Sequence, residues 1–167
     1  MEYLVRPAQT GDVREIRGLV DANVASGRLL DKATVTLYED IQEFVVADRA
    51  SDGRLIGCGA LHVMWEDLAE IRTIAVAEEC QREGAGRLIV EALLARASEL
   101  GVRRIFVLTF AVRFFARFGF AEIGGDAATP EVYAELLRSY DEGVAEFLGL
   151  DRVKPNTLGN TRMLLHL

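Results

Sequence analysis

The sequence predicts an α/β protein of the α+β kind, with a mixed, mostly antiparallel sheet flanked by helices. Three observations lead there. Short apolar strand patterns and amphipathic helical stretches follow in the order β-α-α-β-β-β-α-β-α-β, and a last strand closes the chain. A glycine-bearing loop within Glu70–Val90 joins one of those strands directly to a helix. The length of 167 residues, half of them hydrophobic and 27% charged, suits one ordinary globular domain over 1–167 with a sizeable core.

Tyr3–Pro7 reads as the first strand, and Thr10 as the N-cap of a helix over Asp12–Ala25 with Ile16, Leu19, Val20 and Val24 as its apolar stripe. Gly27 ends that helix, and a second short one follows at Thr34–Ile41. Phe44–Ala47 and Leu55–Trp65 form strands joined through the turn signal Ser51-Asp52-Gly53. Glu70–Ala77 is the fourth strand and Gly84–Leu100 the helix after it. Gly101 precedes a continuously apolar strand, Arg104–Thr109, the pattern of burial on both faces. A short helix from Arg113 breaks at Gly119 into a strand, Phe120–Ile123. An extra helical segment covers Pro130–Leu148, its apolar face formed by Val132, Leu136, Leu137, Val144 and Phe147, and Arg162–Leu167 is a final buried strand. The apolar face of the extra segment suits a homodimer interface or intramolecular packing equally.

The net charge of -7 disfavours nucleic acid and anionic membrane as partners. Cys58 and Cys80 make neither a metal site nor a disulfide framework, which points to a reducing cytoplasm. Cys58 falls in an apolar strand as buried packing. Cys80 lies beside the glycine loop, where its thiol is expected to be accessible though nothing nearby marks it as a nucleophile. No signal peptide or membrane-spanning run is visible.

The loop carries the chemistry. A helix start offers N–H groups without intrahelical partners and a positive dipole end, and glycines let a phosphate approach the backbone. The Walker pattern is absent, since no Gly-Lys-Ser/Thr closes the loop, and a dinucleotide fingerprint would need glycine where Ile89 stands. What remains is Gln-x-x-Gly-x-Gly: Gln81, Arg82, Glu83, Gly84, Ala85, Gly86. This motif, following the strand IRTIAVA, resembles the acetyl-CoA pyrophosphate loop of the GNAT acyltransferase superfamily. The Phe118-Gly119-Phe120 segment after a buried strand resembles the superfamily's other recurrent signature, and the element order is similar across nearly the whole chain.

Three segments further resemble the N-acetylglutamate synthases, which acetylate the α-amine of glutamate in arginine biosynthesis. They are Glu70–Val76, Ile105–Phe110 and the tail running from Lys154-Pro155-Asn156 to Asn160-Thr161-Arg162-Met163. The likeness is to the short stand-alone form. No amino-acid-kinase domain precedes the transferase in this sequence, which places arginine feedback in doubt.

The resemblance implies acetyl-CoA as acyl donor and no metal. It implies pantetheine along Ile74, Ala75 and Val76, and pyrophosphate on the amides of Arg82–Arg87, with Arg82 or Arg87 adding charge unless they are simply solvated. It also implies cofactor contacts at Phe114 and Phe115. An amine attacking a thioester must first lose a proton. In related transferases a glutamate at the position of Glu70 takes it, often through water; the other reading is a strand-edge carboxylate paired with Arg72. His62, on the neighbouring strand, is the second candidate base, or a structural histidine. Backbone N–H groups of Ile74–Val76, freed where the strand bulges, would hold the oxyanion. Many relatives protonate the leaving thiolate with a tyrosine where this chain has Phe115, leaving solvent, the released amine proton or Thr109.

A dicarboxylate acceptor calls for cations. The resemblance places acceptor contacts at Lys32, Arg72, Asn160 and Arg162, each of which also reads as surface charge or polarity on its own. Contact through Asn160 would let glutamine compete with glutamate. The competing functional readings are a GNAT enzyme acting on another amino acid or peptide amine, and a non-catalytic acyl-CoA sensor.

Overall fold

Largely apolar runs form the strands β1 (Tyr3–Pro7), β2 (Phe44–Arg49), β3 (Leu55–Trp65), β4 (Leu68–Val76), β5 (Arg104–Thr109) and β7 (Thr161–His166), and the exposed pair Ala121–Glu122 forms a short strand, β6. The helices are α1 (Val13–Ala25), α2 (Thr34–Glu39), α3 (Ala85–Glu99), α4 (Val112–Ala116), α5 (Pro130–Leu136) and α6 (Glu142–Leu148). This computed structural model describes residues 1–29, 31–149 and 159–167. The predicted tail residues Lys154, Pro155 and Asn156 lie outside them. The seven strands form one sheet in the order β1-β2-β3-β4-β5-β7-β6. Its β4–β5 pair is parallel, and the β1–β2, β2–β3, β5–β7 and β6–β7 pairs are antiparallel. The predicted mixed, mostly antiparallel sheet flanked by helices is thus the one observed.

The chain divides into two compact units. The first comprises Met1–His62 and Ile71–Leu100. On one face of its strands, Val13, Ile16 and Val20 of α1 and Leu37 of α2 bury against Phe44, Val46, Cys58, Ala60 and Ala75. Each fully buried aliphatic or aromatic side chain of this kind contributes about 1.5–3 kcal/mol. The other face is shaped for α3. A Cβ on Gly59 would stand 2.5 Å from Ile74 Cδ1 and 2.7 Å from Ile89 Cγ2, and one on Gly57 would stand 2.9 Å from Ile89 Cδ1. Those two glycines let the helix settle directly onto β3, and Leu93 closes in beside them.

The second unit comprises Val63–Glu70 and Gly101–Leu167. Here β5 pairs through Arg104–Phe106 with Leu68–Glu70 and along its whole length with β7. The buried Phe106 packs with Met64, Leu68, Leu136, Val144 and Phe147. Arg104 fastens the start of β5 by pairing with Asp67 at 2.8 Å, which holds the Asp67 carboxyl below the usual aspartate range.

Local differences from the sequence reading have physical causes. Thr10 does not cap a helix; it opens a 3-10 turn, Thr10–Asp12, that leads into α1. Asp12 is the organising residue there, accepting from the Gln9 amide at 2.7 Å while pairing with Arg6 at 2.8 Å. The helical segment Pro130–Leu148 is two helices rather than one. Asp141 interrupts it by accepting from the Val144 amide at 2.8 Å as a fresh N-cap, and Leu137 is left exposed. The β4 strand starts two residues before Glu70, because only Glu66 and Asp67 separate it from β3.

Candidate active site

In the first unit the candidate anion cradle follows the end of β4. Thr73 has a φ of 57°, a left-handed kink inside a strand that β-branched residues rarely tolerate. Beyond it, N–H groups alternate between the two edges of the strand. Ala77 N–H donates to the Ile56 carbonyl at 2.7 Å, and the buried Cys58 thiol donates to the Thr73 carbonyl at 3.6 Å. Of the expected oxyanion donors, Ala75 is buried and Ile74 and Val76 are half-buried at the end of β4. Burial pushes the Cys58 thiol up to about 12, so it stays protonated. Cys80 is also buried, contrary to the accessible thiol expected for it.

The loop after β4 is braced from both ends. Gln81 Nε2 donates to the Val76 carbonyl at 3.3 Å, tying the loop back to its strand. Arg82 takes a φ of 67° and Gly84 a φ of 102°, and the second of these is accessible only to glycine without strain. The first hydrogen bond of α3 is Leu88 N–H onto the Gly84 carbonyl, at 3.2 Å. The amides of Ala85, Gly86 and Arg87 precede it and have no acceptor within the helix, and Gly84 as N-cap has no side chain to offer them. That arrangement fits a phosphate. Glu83, acidic and in the same loop, is held by Tyr3, whose hydroxyl donates to Glu83 Oε2 at 2.6 Å. That hydrogen bond raises the Tyr3 pKa above its ordinary value of 10. Arg87 pairs along the helix with Glu91 at 3.1 Å, leaving Arg82 as the exposed arginine of the loop itself.

Elsewhere in this unit, Arg72 is buried in β4 and Lys32 is half-buried just before α2. Arg17 holds Lys32 in place by donating to its carbonyl, and it pairs with Asp21 and Asp31 as well. His62 Nδ1 lies 2.7 Å from Glu43 Oε1, a partner that sequence reasoning missed because 19 residues separate the two.

In the second unit Glu70 is buried on β4, opposite Phe106 in the parallel ladder. Phe115 is 3% exposed and packs edge-to-face on Phe120 and Phe114. Of the two rings expected at the cofactor, half-buried Phe114 is the one with free surface. Thr109 Oγ1 accepts from the Ala111 amide at 2.9 Å, which orders the turn into α4 and leaves the hydroxyl proton available. Asn160 is buried, and its Oδ1 has no hydrogen-bond partner among the described residues. Arg162 is engaged structurally: its guanidinium stacks on Phe106 and Phe147 at 5.0 and 5.6 Å, and Nη2 donates to the Phe147 carbonyl at 3.0 Å.

Residues 21–120, which hold this strand–loop–helix cradle, match the family model described as the acetyltransferase (GNAT) family. The chain belongs to that family. It is 55% identical to an amino-acid acetyltransferase of Mycobacterium tuberculosis over 97% of this chain and 93% of that one. It is 32% identical to the amino-acid acetyltransferase of Neisseria meningitidis over 73% of this chain, but spans only 28% of that longer protein. Among solved structures, Rv2747 from Mycobacterium tuberculosis, in complex with CoA and NLQ, superposes with a TM-score of 0.94 at 55% identity, covering 98% of this chain and 99% of that one. The N-acetylglutamate synthase of Neisseria gonorrhoeae, complexed with coenzyme A and N-acetyl-glutamate, gives 0.78 at 25% identity, with all of this GNAT chain aligned to 35% of that one. The relatives support acetyl transfer to an amino acid. No helix among the described residues of this family member is long and apolar enough to cross a membrane.

Proposed function

We propose that this protein transfers the acetyl group of acetyl-CoA to the α-amine of L-glutamate, or of L-glutamine, as the first step of arginine biosynthesis in the cytoplasm. The observation that carries the reading is the 55% identity to an amino-acid acetyltransferase across nearly the full length of both chains. The unsatisfied amides at the start of α3 support it by suiting the CoA pyrophosphate.

In this reading the amides of Ala85, Gly86 and Arg87 hold the pyrophosphate, with the Arg82 side chain beside them. The Ile74, Ala75 and Val76 amides receive pantetheine and the developing oxyanion, where a fixed donor contributes about 3 kcal/mol. Glu70 or His62 takes the proton of the acceptor's ammonium. Arg72 and Lys32 are proposed for the acceptor's carboxylates, and Asn160, with its unmatched Oδ1, for a donor on the acceptor. Arg162 is proposed to act through the segment it pins rather than by direct contact. Residues 1–167 are read as one transferase domain, and α5 and α6 as a candidate homodimer surface.

The test is the initial rate of CoA release with glutamate and with glutamine at saturating acetyl-CoA. Turnover with either is expected. A protein that acetylates neither amino acid is not the enzyme proposed.

A further inference from the structure

Resting on the amino-acid acetyltransferase reading, we propose that Glu43 and His62 form a proton-accepting dyad, in which Glu43 is the positioning residue and His62 Nε2 is the atom that takes the acceptor's proton. His62 Nδ1 and Glu43 Oε1 are 2.7 Å apart. An ionised carboxylate has no proton to give, so the bond forms only with the proton on Nδ1. The neutral ring is thereby held in the tautomer whose Nε2 lone pair is open. The second oxygen, Glu43 Oε2, is buried with no hydrogen-bond partner among the described residues, so the imidazole is the carboxylate's one mapped side-chain donor. Both side chains are largely shielded, 18% and 25% exposed, which strengthens the attraction once the ring becomes cationic. Glu43 sits in a 3-10 turn, Ile41–Glu43, pinned by buried Ile41 and Phe44, so the carboxylate is carried on a fixed support.

The step balances without any further reagent. A proton leaves the ammonium for Nε2, and the imidazolium charge is met by Glu43. The freed lone pair forms the N–C bond at the thioester carbonyl, and the C–S bond breaks with its electron pair on sulfur. Two protons leave nitrogen in all; one ends on the thiol and the other passes to solvent.

Two measurements test this. Long-range 1H–15N correlation on the resting protein reads the tautomer directly, and the only other histidine, His166, is assigned with His166→Gln. Neutral His62 is expected as the Nδ1–H form, shifting toward Nε2–H in Glu43→Gln, whose amide can donate to Nδ1. In steady state, Glu43→Gln and His62→Gln should each lower kcat about 10²-fold. The KM of the amino acid and the affinity for acetyl-CoA should stay within about twofold, and Glu43→Asp should recover part of kcat. An Nε2–H tautomer in the wild type overturns the dyad, and so does full kcat in either glutamine variant while the wild type turns over. A wild type inert toward every amino acid overturns the functional reading and the relay with it. The tautomer, read without turnover, would then stand as a purely structural result.

Discussion

A single backbone angle separates the roles of neighbouring residues in this chain. Gly84, at a φ of 102°, turns the loop so that three amides point outward, whereas Arg82 reaches its left-handed angle at the cost of strain. Gly84→Ala has open space for its methyl group but not a permitted φ, so it should weaken acetyl-CoA binding by misaiming the helix start. Calorimetric titration should show at least a tenfold rise in Kd, with an amino-acid KM that scarcely moves. Glu70 is the complementary case. If it shares in taking the acceptor's proton, Glu70→Gln should lower kcat about 10²-fold and leave the acetyl-CoA Kd unchanged. An equal loss of cofactor affinity would instead mark Glu70 as part of the strand's structure.

At the scale of elements, α3 is held at its depth by the absence of side chains beneath it. Gly59→Ala would place a methyl group 2.5 Å from half-buried Ile74 and 2.7 Å from fully buried Ile89. Overpacking of that kind costs about 1–3 kcal/mol, so thermal unfolding should shift down and acetyl-CoA affinity should fall with it as the helix start lifts. At the other side of the unit, Arg6 joins β1 to the start of α1 through Asp12 and to β2 through Asp48. The Arg6 hydrogen bond holds the Asp12 carboxyl below its ordinary value of 3.8. A depressed pKa contributes stability that is complete above the ordinary value and is lost as pH falls through the folded one. The melting temperature should therefore decline below about pH 4. Arg6→Met should flatten that part of the decline, and an unchanged profile would remove the pair from the account.

For the molecule as a whole, the cradle predicts linkage between ligand and stability. Acetyl-CoA at 100 times its Kd should stabilise the folded chain by about 2.7 kcal/mol. For a chain of this length that corresponds to a rise of roughly 5–10 °C in melting temperature. No shift with acetyl-CoA would contradict the anchoring role of the loop.

The local patterns were legible without coordinates. A strand running into Gln81–Gly86 and then a helix start is a contiguous stretch whose backbone angles follow from residue type, and strand and helix periodicity depends on neighbours a few positions apart. That is why the sheet class, the glycine loop at a helix start and the superfamily all emerged from the order of residues. Tertiary structure decided whatever depends on register between distant segments. It put Tyr3 on Glu83, 80 positions away, and Glu43 on His62. It stacked Arg162 against two phenylalanines and buried Cys80 and Phe115. Composition and spacing carry no information on such pairings, because they arise only when strands align and helices settle on them. The chain alone thus determined the strand, glycine loop and helix start, whose geometry is local. Which partner holds His62 awaited the fold, because a hydrogen bond needs two groups within reach.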